Sequence, residues 1–255
     1  MPQLELVTIP CLSDNYAFLL HASETGQTAL IDAPEAGPIE VALSQRGWVL
    51  SDIFLTHHHA DHIGAVEALR GPQVRVIGGR ADTRRLPPLD LAVAHGDEMT
   101  LCGAQAHVMD ASGHTMGHIA LHVPEANAVF TADSLMAMGC GRLFEGDAPT
   151  MWATLQRLSA LPPDTRVCSG HEYTAANARF ALTVDQDNSA LQARVARIEA
   201  ARAAGTPTVP SRLDEELATN PFLRAASDEV KGAIGMAGAP DVDAFAEVRR
   251  RKDAF

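Results

Sequence analysis

The chain contains no Cys-x-x-Cys pair, and its four cysteines, Cys11, Cys102, Cys140 and Cys168, lie far apart. That spacing excludes a compact disulfide framework and fits reduced thiols in a cytoplasmic protein. No uninterrupted apolar run is long enough to span a bilayer. The opening stretch MPQLELVTIP has no charged region leading into an apolar one, so no signal peptide is expected. Positive charge is scarce: the formal net charge of −12 argues against a nucleic-acid surface, which needs a basic face. An anionic substrate is still allowed, because bound divalent metals and a local basic patch would dominate the field at a site. Internal repeats and low-complexity segments are absent too. What remains, at 255 residues, 46% hydrophobic and 20% charged, is an ordinary globular composition. It suits one large domain, or one domain with a small appendage.

The first two-thirds reads as short strands with helices between them. LELVTIP, YAFLLHA and QTALIDA are partly alternating apolar runs separated by turn residues. A helix is expected over residues 39–46, ending at Gly47, and another over 63–69, closed by Gly71-Pro72. DIFLTH is almost wholly apolar, which suits a strand buried on both faces. VRVIGG, MTLCGAQAHVMDA, HIALHVP, AVFTAD and RVCSG are the further strand candidates. The mixture predicts two sheets sandwiched between helices. From about Thr174 onwards only helical patterns follow, over 176–182, 189–204, 211–218, 227–234 and 242–250. Ser211 with Asp214 makes a capping box for the third of these. This tail is expected to pack on the first domain and complete a site there.

Chemistry is concentrated at Thr56-His57-His58-His59-Ala60-Asp61-His62, directly after a buried strand. The end of a strand in an α/β layer is a common ligand position. His57 and His59 can converge on one ion, while Asp61 and His62 can face a second. Imidazoles and carboxylates suit zinc, iron or manganese alike. Three separate segments add further ligand types: His114 in a Ser-Gly-His-Thr loop, Asp133 at the end of AVFTAD, and His171 after RVCSG. Each alone reads as a solvated loop histidine or a turn aspartate. Together they supply enough ligands for two ions.

His-x-His-x-Asp-His with separated His, Asp and His resembles the metallo-β-lactamase superfamily. Narrower segments resemble its hydroxyacylglutathione hydrolase (glyoxalase II) branch, nearly end to end. They are Asp14-Asn15-Tyr16, GHT at 113–115, FTAD at 130–133, GCGRLFEG at 139–146, GHEYT at 170–174 and NPFLR at 220–224, with Arg249 and Lys252-Asp253 near the end. The resemblance implies an α+β fold: a metallo-β-lactamase αββα sandwich over residues 1–173 and a small α-helical, glutathione-binding domain over 174–255. It implies two divalent metal ions per chain, with zinc first and iron or manganese as alternatives. His57, His59 and His114 would bind one ion and Asp61, His62 and His171 the other, with Asp133 bridging. Asp61 and Asp133 are then the catalytic carboxylates, and His58 points away. Arg142 and Tyr173 match positions holding the peptide part of the substrate. Arg249 and Lys252 match those holding its glycine carboxylate, although a basic last helical turn is also favoured by the helix dipole. The implied reaction is hydrolysis of S-(2-hydroxyacyl)glutathione, such as S-D-lactoylglutathione, to glutathione and D-lactate by a hydroxide on the metal pair. That is the second step of methylglyoxal detoxification.

The partner expected is this small thioester, with no nucleic acid and no membrane, and the chain is expected to be a cytoplasmic monomer. The alternatives are a glutathione persulfide dioxygenase or another enzyme of the same fold, and a non-catalytic binding protein on it. The chain departs from the family pattern at Ser112, Ala132, Ser134 and Ser169. Phe144 stands where some members have a tyrosine whose hydroxyl contacts glutathione. Ala132 alters the backbone if that position needs a positive φ, which glycine tolerates best.

Overall fold

The structure, a computed structural model, describes residues 3–255. The chain divides into two compact units. The first runs up to Ala111 and includes Met116–Ala132; the second comprises Ser112–Thr115 and Asp133–Phe255.

In the first unit, β1 (Leu4–Cys11) and β2 (Asn15–Ala22) form an antiparallel hairpin in the register Leu4↔Ala22 to Cys11↔Asn15. β3 (Thr28–Ile31) pairs antiparallel with β2, after which the sheet turns parallel through β4 (Asp52–Leu55), β5 (Arg75–Gly79) and β6 (Leu91–Val93). Between these strands lie α1 (Ala36–Arg46), α2 (Ala60–Ile63) and α3 (Val66–Leu69). β3 and β4 are buried at every position, as strands covered on both faces must be, and their sequences TALI and DIFL are accordingly mostly apolar. Leu19, Leu30, Ile53 and Val76 from the strands pack with Ile39 and Val66 from the helices in one cluster.

A second antiparallel set follows: β7 (Glu98–Leu101), β8 (Ala104–Asp110), β9 (Ile119–Val123) and β10 (Ala128–Ala132). The Phe18 and Phe130 rings meet edge-on at 5.7 Å, so aromatic side chains from both sets share a core. MTLCGAQAHVMDA is therefore two strands, not one. Cys102 and Gly103 both take positive φ and turn the chain between β7 and β8, the conformation a tight hairpin needs.

The second unit opens on a miniature hairpin, β11 (Leu135–Met136) with β12 (Gly139–Cys140). α4 (Ala148–Ser159) is capped by the Asp147 carboxylate, which accepts from Thr150 N at 2.9 Å. β13 (Arg166–Ser169) precedes α5 (Thr174–Val184) and α6 (Ser189–Ala203). The chain then forms β14 (Ser211–Arg212), α7 (Leu213–Thr219), α8 (Asp228–Ala233) and α9 (Asp241–Asp253). The expected capping box does not form, because Ser211 pairs with Val167 in a strand and α7 starts only at Leu213. α5 and α6 close on Ala178, Ala181, Leu191, Val195 and Ile198. A buried polar network ties the helices to the β11–β12 turn. Arg194 is paired with Glu216, whose other oxygen accepts from Met138 N at 2.9 Å. Asn220, from the NPFLR segment, donates to the carbonyls of Met136 and Gly139 at 3.1 and 3.0 Å.

All four cysteines are buried thiols outside any disulfide. Burial pushes every thiol up, to about 11 at Cys11 and Cys140 and about 12 at Cys102, so none is a ready nucleophile. Among the described residues no helix is long and apolar enough to cross a membrane.

Candidate metal centre

The His cluster leaves β4 at Thr56, and its order depends on Asp32, just past the end of β3. Asp32 sits at φ 56°, a left-handed backbone that aspartate tolerates better than most residues. Its carboxylate accepts from Thr56 N at 2.9 Å, from the Thr56 hydroxyl at 2.8 Å and from His62 Nδ1 at 2.8 Å. The Thr56 hydroxyl, having donated its proton to Asp32, can only accept from His57 Nδ1, 3.0 Å away. One carboxylate thus fixes Nδ1–H tautomers on both His57 and His62 and leaves each Nε2 lone pair for a cation. Both rings are fully buried. His59 precedes α2 but its side chain makes no capping bond, and its ring lies 4.7 Å from that of His57. Asn15 holds Asp61 through bonds of 3.0 Å to both its carbonyl and its carboxylate.

His58 turns elsewhere: its Nδ1 bonds Asp82 at 3.0 Å, and Arg85 grips the same carboxylate. Gly117 makes room for that pair, since a Cβ there would stand 2.1 Å from the Asp82 carboxyl carbon. His118 is buried and stacks on His57, with centroids 4.6 Å apart and planes 17° apart.

The second unit holds the other three ligand candidates together. His114 Nε2 is 3.4 Å, and His171 Nε2 3.3 Å, from the same Asp133 oxygen, Oδ2. His114 donates Nδ1–H to the Arg142 carbonyl at 2.8 Å, so its Nε2 bears a lone pair. Two electron-rich atoms facing each other at this distance are unfavourable unless a cation or proton lies between them. These donors therefore fit a divalent metal. Gly141 is required by close approach: a Cβ would fall 1.9 Å from the Asp133 carbonyl oxygen and 3.0 Å from His114 Nδ1. Ala132, immediately before Asp133, takes φ 40°, so the backbone does adopt the left-handed conformation that glycine tolerates best.

The predicted substrate residues lie in the same unit. Tyr173 stacks on His171 at 4.7 Å with planes 6° apart, and exposed Phe144 meets the edge of His114 at 5.2 Å. Arg142 is exposed. Arg249 is buried; its guanidinium donates to the Cys140 carbonyl at 2.9 Å, pairs with Asp253 at 2.8 Å and covers the Phe222 ring. Lys252 lies over Phe180 and Phe255. Burial first, then Arg249, Arg179 and Arg142, lower its pKa to about 8, against an opposing effect of Asp253. Three arginines therefore act on one lysine in a chain that is acidic overall.

Asp32 and His118 went unread in the sequence. Asp32 carried a usable signal, an aspartate closing an apolar strand just as Asp133 does. His118 carried none, since a histidine beginning HIALHVP looks like any strand residue.

Buried imidazoles with oriented nitrogens and carboxylates at strand ends, in an α+β framework, define a metal-binding protein of the metallo-β-lactamase fold. A model of the metallo-beta-lactamase superfamily matches residues 13–171, and one of the hydroxyacylglutathione hydrolase C-terminus matches 172–255. The hydroxyacylglutathione hydrolase of Ruegeria pomeroyi is 60% identical over 253 residues, 99% of each chain. Among solved structures, ETHE1 from Myxococcus xanthus is 25% identical with a TM-score of 0.66, covering 99% of both chains. TTHA1623 in a di-iron-bound form is 32% identical with a TM-score of 0.53, over 66% of this chain and 91% of its own. The chain belongs to the hydroxyacylglutathione hydrolase family of the metallo-beta-lactamase superfamily.

Proposed function

We propose that the chain is a thioester hydrolase that converts S-(2-hydroxyacyl)glutathione, typified by S-D-lactoylglutathione, to glutathione and a 2-hydroxy acid. The observation that carries this reading is the 60% identity to a hydroxyacylglutathione hydrolase over nearly the whole of both chains. Full-length likeness of this degree weighs against a persulfide dioxygenase, as does a family model covering the C-terminal residues 172–255.

Two divalent ions are the cofactors of this reading; His57, His59 and His114 would hold one and Asp61, His62 and His171 the other, with Asp133 serving both. The di-iron form of a relative supports a pair, and zinc suits the same donors. When bound, such ions supply Lewis acidity and bring the pKa of water into the neutral range. The protein's part is to hold donors ready. Asp32 keeps His57 and His62 in the tautomer that offers Nε2, and Arg142, through its carbonyl, does the same for His114. The leaving thiol of glutathione has an ordinary pKa of roughly 8.5–9, so departure as thiolate needs no strong general acid. Residues 174–255 serve as the glutathione-binding part and contribute Arg249 and Lys252, while Arg142, Phe144 and Tyr173 contribute from the segments before it. Arg can grip a carboxylate in a fork and Lys presents a point charge. On this reading the chain acts in methylglyoxal detoxification, as a cytoplasmic monomer.

The test is loss of thioester absorbance from S-D-lactoylglutathione, with metal measured on the same sample. Hydrolysis that rises with metal content is expected. Fully metallated protein without thioesterase activity would reject the reading.

A further inference from the structure

Outside the residues assigned to the metal centre, the first unit carries a second histidine cluster. Glu98, His107 and His122 are directly opposed partners across β7, β8 and β9, so all three project from one face of the sheet. The His107 and His122 ring centroids are 6.0 Å apart and their planes 33° apart. Two imidazoles on one tetrahedral ion, at an N–metal length of about 2.0–2.1 Å, have centroids about 5 Å apart. The pair therefore needs to close by only about 1 Å, which side-chain rotation provides at half-buried positions.

The neighbouring carboxylates are used unequally. One Glu98 oxygen lies 3.3 Å from His107 Nδ1, and the other accepts from Gln105 Nε2 at 2.8 Å. Glu98 therefore steadies the His107 ring and leaves its Nε2 for another partner, the arrangement metal-binding histidines usually show. Glu125 accepts from Gln105 N at 3.3 Å through Oε1. Its Oε2 is buried and has no hydrogen-bond partner among the described residues. A buried carboxylate oxygen without a donor is costly, and a cation removes that cost. Burial and then His107 lower the pKa of His122, against an opposing effect of Glu125, which favours the neutral imidazole a metal requires.

We propose that His107, His122 and Glu125 converge by side-chain rotation into a peripheral site for a divalent transition-metal ion, with Glu98 orienting His107. Two imidazoles and a carboxylate are donors of the zinc type, and a water completes the coordination. None of these residues belongs to the assignment made for thioester hydrolysis, so the two can be separated.

Metal-loaded full-length protein is dialysed against a series of buffered free Zn²⁺ concentrations, and zinc per chain is counted for the wild type, His107→Ala and Glu125→Gln. The wild type should take up one ion more than either variant at intermediate free zinc, with affinity for that ion weakened by about tenfold or more in each variant. Thioester turnover should be the same in all three. Equal zinc uptake by the wild type and both variants would overturn the site. Glu125→Gln keeps the side-chain shape, so it decides the matter if His107→Ala fails to fold.

Discussion

His57 and His62 share one loop and take their orientation from a single carboxylate, Asp32, which reaches one directly and the other through Thr56. His114, Asp133 and His171 come from three segments, and their alignment rests on a backbone carbonyl, on Gly141 and on the strained φ of Ala132. The first arrangement hangs both rings on one hydrogen-bond relay that starts at Asp32, beyond β3, so a single remote carboxylate sets two donors. The second has no such relay, and depends on the chain bringing distant segments to within a few tenths of an ångström. Such donors therefore fall into a contiguous set oriented by one remote carboxylate and a set whose members themselves come from separate segments.

The sharpest way to break the dispersed part is Asp133→Ala. It removes the oxygen that both His114 and His171 face, so metal and activity should be lost together, activity by on the order of 10³-fold. Metal analysis and kinetics on the same preparation check this, and normal metal content with normal turnover would reject the shared role of Asp133. The contiguous part should respond less. Asp32→Ala frees two rings without removing a ligand, and metal affinity should fall by about 10–100-fold, the usual effect of losing the group that orients a ligand. Equilibrium dialysis measures it. An unchanged affinity would show that the loop backbone alone sets the rings.

A smaller effect tests the basic cluster of the second unit. Lys252 titrates at about 8 when folded, against an ordinary value of 10.5. Between these values the folded chain binds fewer protons than the unfolded chain, so this group's contribution to stability rises with pH across that window. Carboxylate binding runs the other way, because the charge disappears as pH rises through about 8. KM for the glutathione thioester should therefore climb above that pH in the wild type. In Lys252→Met it should be raised already and respond less to pH. The smallest effect is Ala132→Gly, which relieves a positive φ and should stabilise the fold by about 1 kcal/mol or less. Denaturant unfolding of the two proteins checks the sign.

The strands with strong apolar runs, DIFL and AVFTA among them, were legible because burial on both faces leaves little choice of residue. β6, β11, β12 and β14 are two or three residues long and show no period to read. α4 was also missed, although Met151, Thr154, Leu155 and Leu158 recur at helical spacing behind an aspartate cap. One helix was expected over 63–69; the structure has two short turns, the first beginning at Ala60, because Asn15 and Ala33 hold the backbone of Asp61 and His62.

By itself, then, the sequence determined the kinds of donor present and the buried strands that end in them, since both follow from residue chemistry and from neighbours along the chain. Only the tertiary structure decided which nitrogen each of His57, His62 and His114 offers, that His118 stacks on His57, and that Arg249 is buried against the Cys140 carbonyl. Those outcomes depend on hydrogen bonds and ring contacts between residues far apart in the chain, and only packing brings such residues within reach.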